Sequence, residues 1–181
     1  GKTENKSIKL GLVLNPFSGS RQGSDRSAGP ARLIEGGLED RLKALNLPAA
    51  EQYTVELSAE QERAYGEWNR MGMANGHLQR RVSRMIGEGH FVVGLLANCN
   101  SLMGMLAGLQ HSGKAHKPLR VGLVWIDAHG DFNTPETTLS GMLGGMPVAV
   151  SAGLCLHRLR RQSGLEPALP PAYITMAGVR D

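Results

Sequence analysis

Short apolar segments of strand length alternate along this chain with longer segments of helical spacing, and this alternation restricts the fold more than any other feature. The strand-like segments are residues 8–17, 52–57, 90–97, 119–126 and 173–179. Strands that are apolar throughout and alternate with helices are typical of a parallel sheet covered on both faces. We therefore predict an α/β fold with a mainly parallel sheet.

The segments between the strands show helical spacing of their apolar residues. A first helix is predicted to begin near Pro30, with Gly36 and Gly37 weakening its middle, and residues 60–87 are predicted to be helical in two pieces. A further helix, rich in Met and Leu, is expected over residues 101–109. With 181 residues, of which 41% are hydrophobic, the chain is expected to form one domain with a proper core.

Composition and charge argue against several classes of protein. No apolar run is long enough to cross a bilayer and no secretory leader begins the sequence, so we expect no membrane partner. Two cysteines are too few for a disulfide framework, which favours a reducing, cytoplasmic setting. The formal net charge is +4, but Leu159 interrupts the basic cluster at residues 157–161 and no aromatic residues accompany it. We expect a solvated helix face there and no nucleic-acid partner.

A run of alternating ligand-type side chains follows the fourth strand-like segment. Asp127, His129 and Asp131 occupy every second position, and alternate side chains of an extended strand point to the same face. Carboxylates and imidazole are ligands for divalent cations, although aspartate and glycine are also common in turns after strands. A second polar segment, residues 98–100, also follows a strand. Because ligands of parallel sheets bind beyond the carboxyl ends of the strands, the two segments together favour a metal site.

The segment from residue 127 to residue 142, DAHGDFNTPETTLSGM, resembles the second signature of the ureohydrolase family, which includes arginase, agmatinase and formimidoylglutamase. Residues 29–33 resemble an early Gly-Pro segment of that family, and residues 98–104 match the spacing of its first metal motif. The resemblance implies a three-layer α/β/α sandwich that holds two manganese ions. It implies that a bridging hydroxide attacks the carbon of a guanidino or amidino substrate and releases urea or a related product. It also implies a homo-oligomer, either a trimer or a hexamer.

The resemblance assigns roles to individual residues of the long motif. Asp127 would bridge the two metals, His129 would bind the second metal and Asp131 the first. Asp131 would also accept a hydrogen bond from the bridging hydroxide, which makes it the candidate catalytic residue. Three positions match residues that contact the substrate in arginases: Asn133, Thr138 and Ser140.

Cys99 departs from the family pattern, because it stands where the family usually has a metal-binding histidine. A thiolate is softer than imidazole and carries a negative charge, so it would weaken the Lewis acidity of the first metal and shift the preference toward zinc or iron. The cysteine is similar to what we expect of the hydroxyarginine amidinohydrolase branch. We predict that Cys99 is a metal ligand; the alternative is a small residue that is simply buried.

Two further departures concern the substrate loop and the length of the chain. Met142 stands where an asparagine is expected, and Gly144 where a histidine that assists proton transfer is expected, so recognition of free arginine is in doubt. Family members continue with two more metal-binding aspartates and a glutamate that grips the guanidinium. We therefore expect residues 1–181 to be the N-terminal portion of a single arginase-like domain, with the C-terminal metal-binding part missing.

Three hypotheses follow from these residues. The leading one is a metal-dependent hydrolase of a linear C–N bond, with Cys99, Asp127, His129 and Asp131 as ligands. A second makes Cys99 a covalent nucleophile with His129 as its base. A third is a ureohydrolase-like scaffold that binds a partner or a small ligand without catalysis.

Overall fold

Two parallel β-sheets form the framework of the chain in a computed structural model, which describes residues 8–18 and 25–180. The first sheet has the strand order β2–β1–β3 and the second pairs β4 with β5. The strands are β1 (Lys9–Asn15), β2 (Ala49–Thr54), β3 (His90–Leu96), β4 (Leu123–Ile126) and β5 (Ile174–Ala177). All three pairings, β1 with β2, β1 with β3 and β4 with β5, are parallel, which confirms the predicted α/β class.

Helices connect the strands and cover them. They are α1 (Gly29–Glu35), α2 (Leu38–Ala44), α3 (Ala59–Arg63), α4 (Glu67–Gly87), α5 (Leu102–Gln110), α6 (Pro147–Ser151) and α7 (His157–Gln162). Short 3₁₀ turns precede or follow several of them, at Asp25–Ala28, Cys99–Ser101, Leu143–Gly145 and Pro171–Tyr173. Within the described ranges, no helix combines the length and the apolar character that a membrane span needs.

The alternation of side chains along β1 explains the three layers. Leu10, Leu12 and Leu14 form one buried cluster, against which side chains of α1 and α2 pack. Val13 points to the opposite face and belongs to a separate cluster with apolar residues of α4. Because alternate residues of a strand point to opposite faces, a strand that is apolar at every position is buried from both sides.

The second sheet is covered differently on its two faces. Leu123, Trp125 and Ile174 pack against a buried cluster that includes residues of α5. On the other face, Val124 and Ile126 of β4 are 67% and 79% exposed. The central positions of β4 are therefore apolar on both faces, although only one face is packed among the described residues.

The positions of several element boundaries differ from the prediction. The helix expected from Pro30 is two helices, because Gly37 adopts a left-handed conformation (φ 88°) between them. Strand β2 begins earlier than expected and ends at Thr54. Strand β4 is shorter than the predicted 119–126, since Leu119 donates its backbone N–H to the carbonyl of Gln110 (2.7 Å) instead of joining the sheet. The predicted division of residues 60–87 is confirmed, with Gly66 at φ 92° between α3 and α4.

Helices α4 and α5 cross closely because two glycines of α5 face α4. A Cβ on Gly108 would lie 2.5 Å from the Cβ of Val82 and 3.1 Å from the carbonyl oxygen of Gln79. A Cβ on Gly104 would lie 2.9 Å from Cδ2 of Leu78. This crossing fixes α5, and with it the turn that precedes α5, against the first sheet.

Replacing Gly108 with alanine tests this packing. We expect Gly108→Ala to lower the free energy of unfolding by about 1–3 kcal/mol, because the added methyl group pushes Val82 and the backbone of α4 away from α5. Urea unfolding followed by far-UV circular dichroism measures the change. Gly87→Ala is the matched control, since a Cβ there meets no heavy atom of the described residues within 4 Å. Equal unfolding midpoints for the two variants would contradict the close crossing.

Candidate metal centre

The turn that carries Cys99 follows β3 and is held by buried amide side chains. Asn98 caps the turn, as its Oδ1 accepts hydrogen bonds from the backbone N–H and the side-chain amide of Asn100 (both 2.8 Å). Asn15, at the end of β1, donates from Nδ2 to the hydroxyl of Ser101 (2.9 Å). The two strand ends are thereby tied together beside Cys99.

Helices α4 and α7 support the same turn from behind. Asn75 of α4 donates from Nδ2 to the carbonyl of Asn100 and to the hydroxyl of Ser163, each at 3.1 Å. The residues of this network are all buried: Asn15, Asn75, Asn100, Ser101 and Ser163. Sequence reasoning missed this polar network. The available signal was that Asn15 and Asn98 stand at the ends of apolar strands.

Asp127 lies in a bend immediately after β4. Its backbone N–H donates to Ala177 of β5 (3.1 Å), and its Oδ1 accepts from the backbone N–H of His129 (2.9 Å). Trp125 donates from Nε1 to the carbonyl of His129 (3.1 Å) and holds the bend against the strand. The expectation that an extended strand aligns residues 127, 129 and 131 on one face is wrong, because the strand ends at Ile126.

Asp131 is positioned by its own backbone. Its φ is 47°, in the left-handed region, and its side chain is buried. Its carbonyl accepts hydrogen bonds from the N–H groups of Val148 (3.1 Å) and Ala149 (3.4 Å) in the first turn of α6. These contacts bring the carboxylate of Asp131 back toward Asp127.

Cys99, Asp127 and Asp131 form one group, with Sγ and a carboxylate oxygen of each aspartate all within 4.8 Å of one another. We call these three residues the metal group. Cys99 is open to solvent on one side. Its other side is partly buried, and this burial, followed by the charges of Asp131 and Asp127, raises the pKa of its thiol. A divalent cation bonds such atoms at about 2.0–2.3 Å, which is compatible with this spacing. The cation would also offset the repulsion between the acidic groups, so the donor set fits a metal.

His129 lies outside the metal group as the structure places it. Its side chain is 71% exposed, and its Nδ1 is 3.7 Å from Oδ1 of Asp127. Its assignment as a ligand stays a prediction, and it requires the ring to rotate about its side-chain bonds toward the group.

The pKa of Cys99 also bears on the nucleophile hypothesis. A nucleophilic cysteine needs a lowered pKa, which a neighbouring cation or imidazolium supplies. The surroundings of Cys99 do the opposite, because partial burial and then the charges of Asp131 and Asp127 raise the pKa of its thiol. The geometry therefore favours a metal ligand over a free nucleophile at this position.

The three predicted substrate contacts lie on one loop beside the metal group. Asn133, two residues after Asp131, donates its backbone N–H to the carbonyl of Gly145 (3.1 Å) and closes the loop at its base. Thr138 and Ser140 accept hydrogen bonds from the N–H groups of Gly141 (3.0 Å) and Met142 (3.2 Å). Their contact with a substrate stays a prediction.

A second group of possible ligands, Glu51, Glu88 and His90, lies at the opposite end of the sheet. Arg81 and Arg84 both form ion pairs with Glu51, and Arg84 also pairs with Glu88 (2.8 Å). Because guanidinium groups already neutralise these carboxylates, this group is an ion-pair network that ties α4 to β2.

Alkylation of Cys99 tests whether the metal group holds a cation. We expect stoichiometric Zn²⁺ or Mn²⁺ to slow the reaction of Cys99 with iodoacetamide by about tenfold or more, and Asp127→Asn or Asp131→Asn to remove most of that protection. Mass spectrometry of the Cys99 peptide measures the rate, with buried Cys155 as the internal reference. Asp40→Asn, an exposed position on α2, is the control variant. Equal alkylation with and without metal would contradict the site.

Comparisons with known proteins agree with the geometry. The family model described as "Arginase family" matches residues 8–181. The chain is 30% identical over 181 residues to an arginase of Bacillus caldovelox, which covers 97% of this chain and 58% of that protein. It is 29% identical over 185 residues to mitochondrial arginase-2 of Homo sapiens, with 97% and 51% covered.

Solved structures give the same result. The native structure of the Bacillus caldovelox arginase matches with a TM-score of 0.78 at 27% identity, over 96% of this chain and 58% of that chain. An arginase structure from Bacillus subtilis also matches with a TM-score of 0.78 at 27% identity, over 96% and 57%. The chain thus spans somewhat more than half the length of these relatives. The family-model match over residues 8–181 and the 30% identity to the Bacillus caldovelox protein show that the chain belongs to the arginase family.

Proposed function

We propose that this protein is a metal-dependent hydrolase that cleaves a linear C–N bond in a guanidino or amidino compound and releases urea or a related product. The observation that carries the proposal is the metal group of Cys99, Asp127 and Asp131 in a chain of the arginase family. Its carboxylates lie beside the end of a parallel strand, where α/β folds place their ligand sites.

The metal group would hold the cations, with His129 added after rotation of its ring. We propose two divalent ions, most favourably Mn²⁺, since carboxylates suit manganese and one imidazole is compatible with it. When bound, a pair of such ions supplies Lewis acidity and lowers the pKa of shared water. Cys99 adds a softer, charged donor, which shifts the preference toward zinc or iron relative to a site with imidazole in its place.

The protein side chains have separate tasks in this proposal. Asp131 is buried, and α6 fixes its backbone, so its carboxylate can accept a hydrogen bond from the attacking water at a constant position. Asp127 is fixed by the N–H of His129.

Four donors do not complete the coordination of two divalent ions, which take about six ligands each. Because the chain spans 58% of the Bacillus caldovelox arginase, we propose that polypeptide outside this sequence supplies the remaining ligands. A homo-oligomer, either a trimer or a hexamer, and a cytoplasmic location remain predictions from the family resemblance and the cysteine content.

The dependence of urea release on metal tests the proposal. We expect the full-length protein to lose its activity on a panel of guanidino compounds after exhaustive chelation and to regain it with Mn²⁺. Asp127→Asn and Asp131→Asn should each lower kcat/KM by about a hundredfold or more, since each removes a charged ligand. Asp40→Asn on α2 is the control and should leave the rate unchanged.

Two outcomes would contradict the proposal in different ways. Activity that survives chelation, together with metal analysis showing no bound ion, would exclude the metal mechanism. A metal-loaded protein that hydrolyses no guanidino or amidino compound would favour the non-catalytic scaffold instead.

A further inference from the structure

The loop of residues 132–146 is the part of the chain that a molecule bound at the metal group meets next. It begins directly after Asp131, and the hydrogen bond from Asn133 to Gly145 closes its base. Its last turn, Leu143–Gly145, packs against the turn Cys99–Ser101. The loop is therefore anchored at both ends to segments that carry metal-group residues.

The side chains of this loop are mostly apolar or neutral. Its exposed large residues are Phe132, Leu139 and Met142, of which Met142 is 57% exposed and directly precedes the turn beside Cys99. Glu136 is its single charged residue, so the loop contains no cation. Glu136 is itself exposed to solvent.

The polar side chains of the loop are engaged within it. Oδ1 of Asn133 accepts from the hydroxyl of Thr137 (3.1 Å), and the hydroxyl oxygens of Thr138 and Ser140 accept from backbone N–H groups. The donors that remain are a neutral amide and neutral hydroxyls. Such groups can bind a carbonyl or hydroxyl oxygen, but they do not neutralise a carboxylate.

We propose that the substrate carries an uncharged tail beyond its guanidino or amidino group, with an apolar part that packs against Met142. This inference rests on the proposed function. An anionic tail would find no cation on the loop to pair with it. A cationic tail would lose hydration beside the exposed apolar side chains of Leu139 and Met142.

A cationic residue outside the loop, Arg180, has its backbone next to the bend that carries Asp127. Arg180 donates its backbone N–H to the carbonyl of Ala128 (2.9 Å), just beyond β5. An anionic tail directed toward that side, away from Met142, would be the competing arrangement. The experiment therefore includes a variant of Arg180.

Three guanidines of matched chain length separate the possibilities: n-butylguanidine with an uncharged tail, 4-guanidinobutanoate with an anionic tail and agmatine with a cationic tail. We expect the metal-loaded full-length protein to favour n-butylguanidine by about tenfold or more in kcat/KM. Met142→Asn should lower that value about tenfold through KM, whereas Met142→Leu should retain it. Leu45→Asn, an exposed position after α2, is the control and should leave the preference unchanged.

The outcomes distinguish this inference from the proposed function. Three results would overturn the uncharged tail while leaving a guanidino hydrolase. They are a preference for 4-guanidinobutanoate that Arg180→Gln abolishes, a preference for agmatine, and an unchanged preference in Met142→Asn. Failure to hydrolyse any guanidino or amidino compound with metal bound would overturn both.

Discussion

The buried hydrogen bond between Asn15 and Ser101 is the contact on which the candidate site depends most. It joins the end of β1 to the turn after β3, at 2.9 Å and out of contact with water. Asn75 of α4 binds the other side of the same turn through the carbonyl of Asn100. Leaving one of these buried polar groups without its partner would cost about 1–3 kcal/mol, so the network strongly favours a single position for Cys99.

The metal group brings two carboxylates and a thiol close together. Partial burial and then the two neighbouring carboxylates raise the pKa of the Cys99 thiol, and Asp131 adopts a left-handed backbone conformation. Proteins keep such strained, like-charged arrangements chiefly at functional sites. Where the family resemblance implies a histidine, Cys99 would offer a metal a softer, charged donor.

The two sheets differ in how completely they are covered, and this difference agrees with the length of the chain. The first sheet has helices on both faces, whereas β4 exposes Val124 and Ile126 on one face. Parallel strands in α/β proteins are normally buried from both sides. The structural relative from Bacillus caldovelox extends well beyond the matched part, because this chain covers 58% of it. The exposed residues of β4 come just before Asp127 of the metal group.

Local sequence determined the architecture and the types of residue at the site. Apolar runs alternating with helical spacing predicted the parallel α/β fold, and Gly37 and Gly66 end or separate helices because they adopt positive φ angles. Asp127, His129 and Asp131 are ligand-type residues at every second position, and this pattern indicated metal chemistry. Only the tertiary structure decided which of these side chains meet: the strand ends at Ile126, the bend turns the ring of His129 outward, and Cys99 approaches from another strand. Contacts between residues distant in sequence depend on how the strands pair and the helices cross, and no local pattern specifies that.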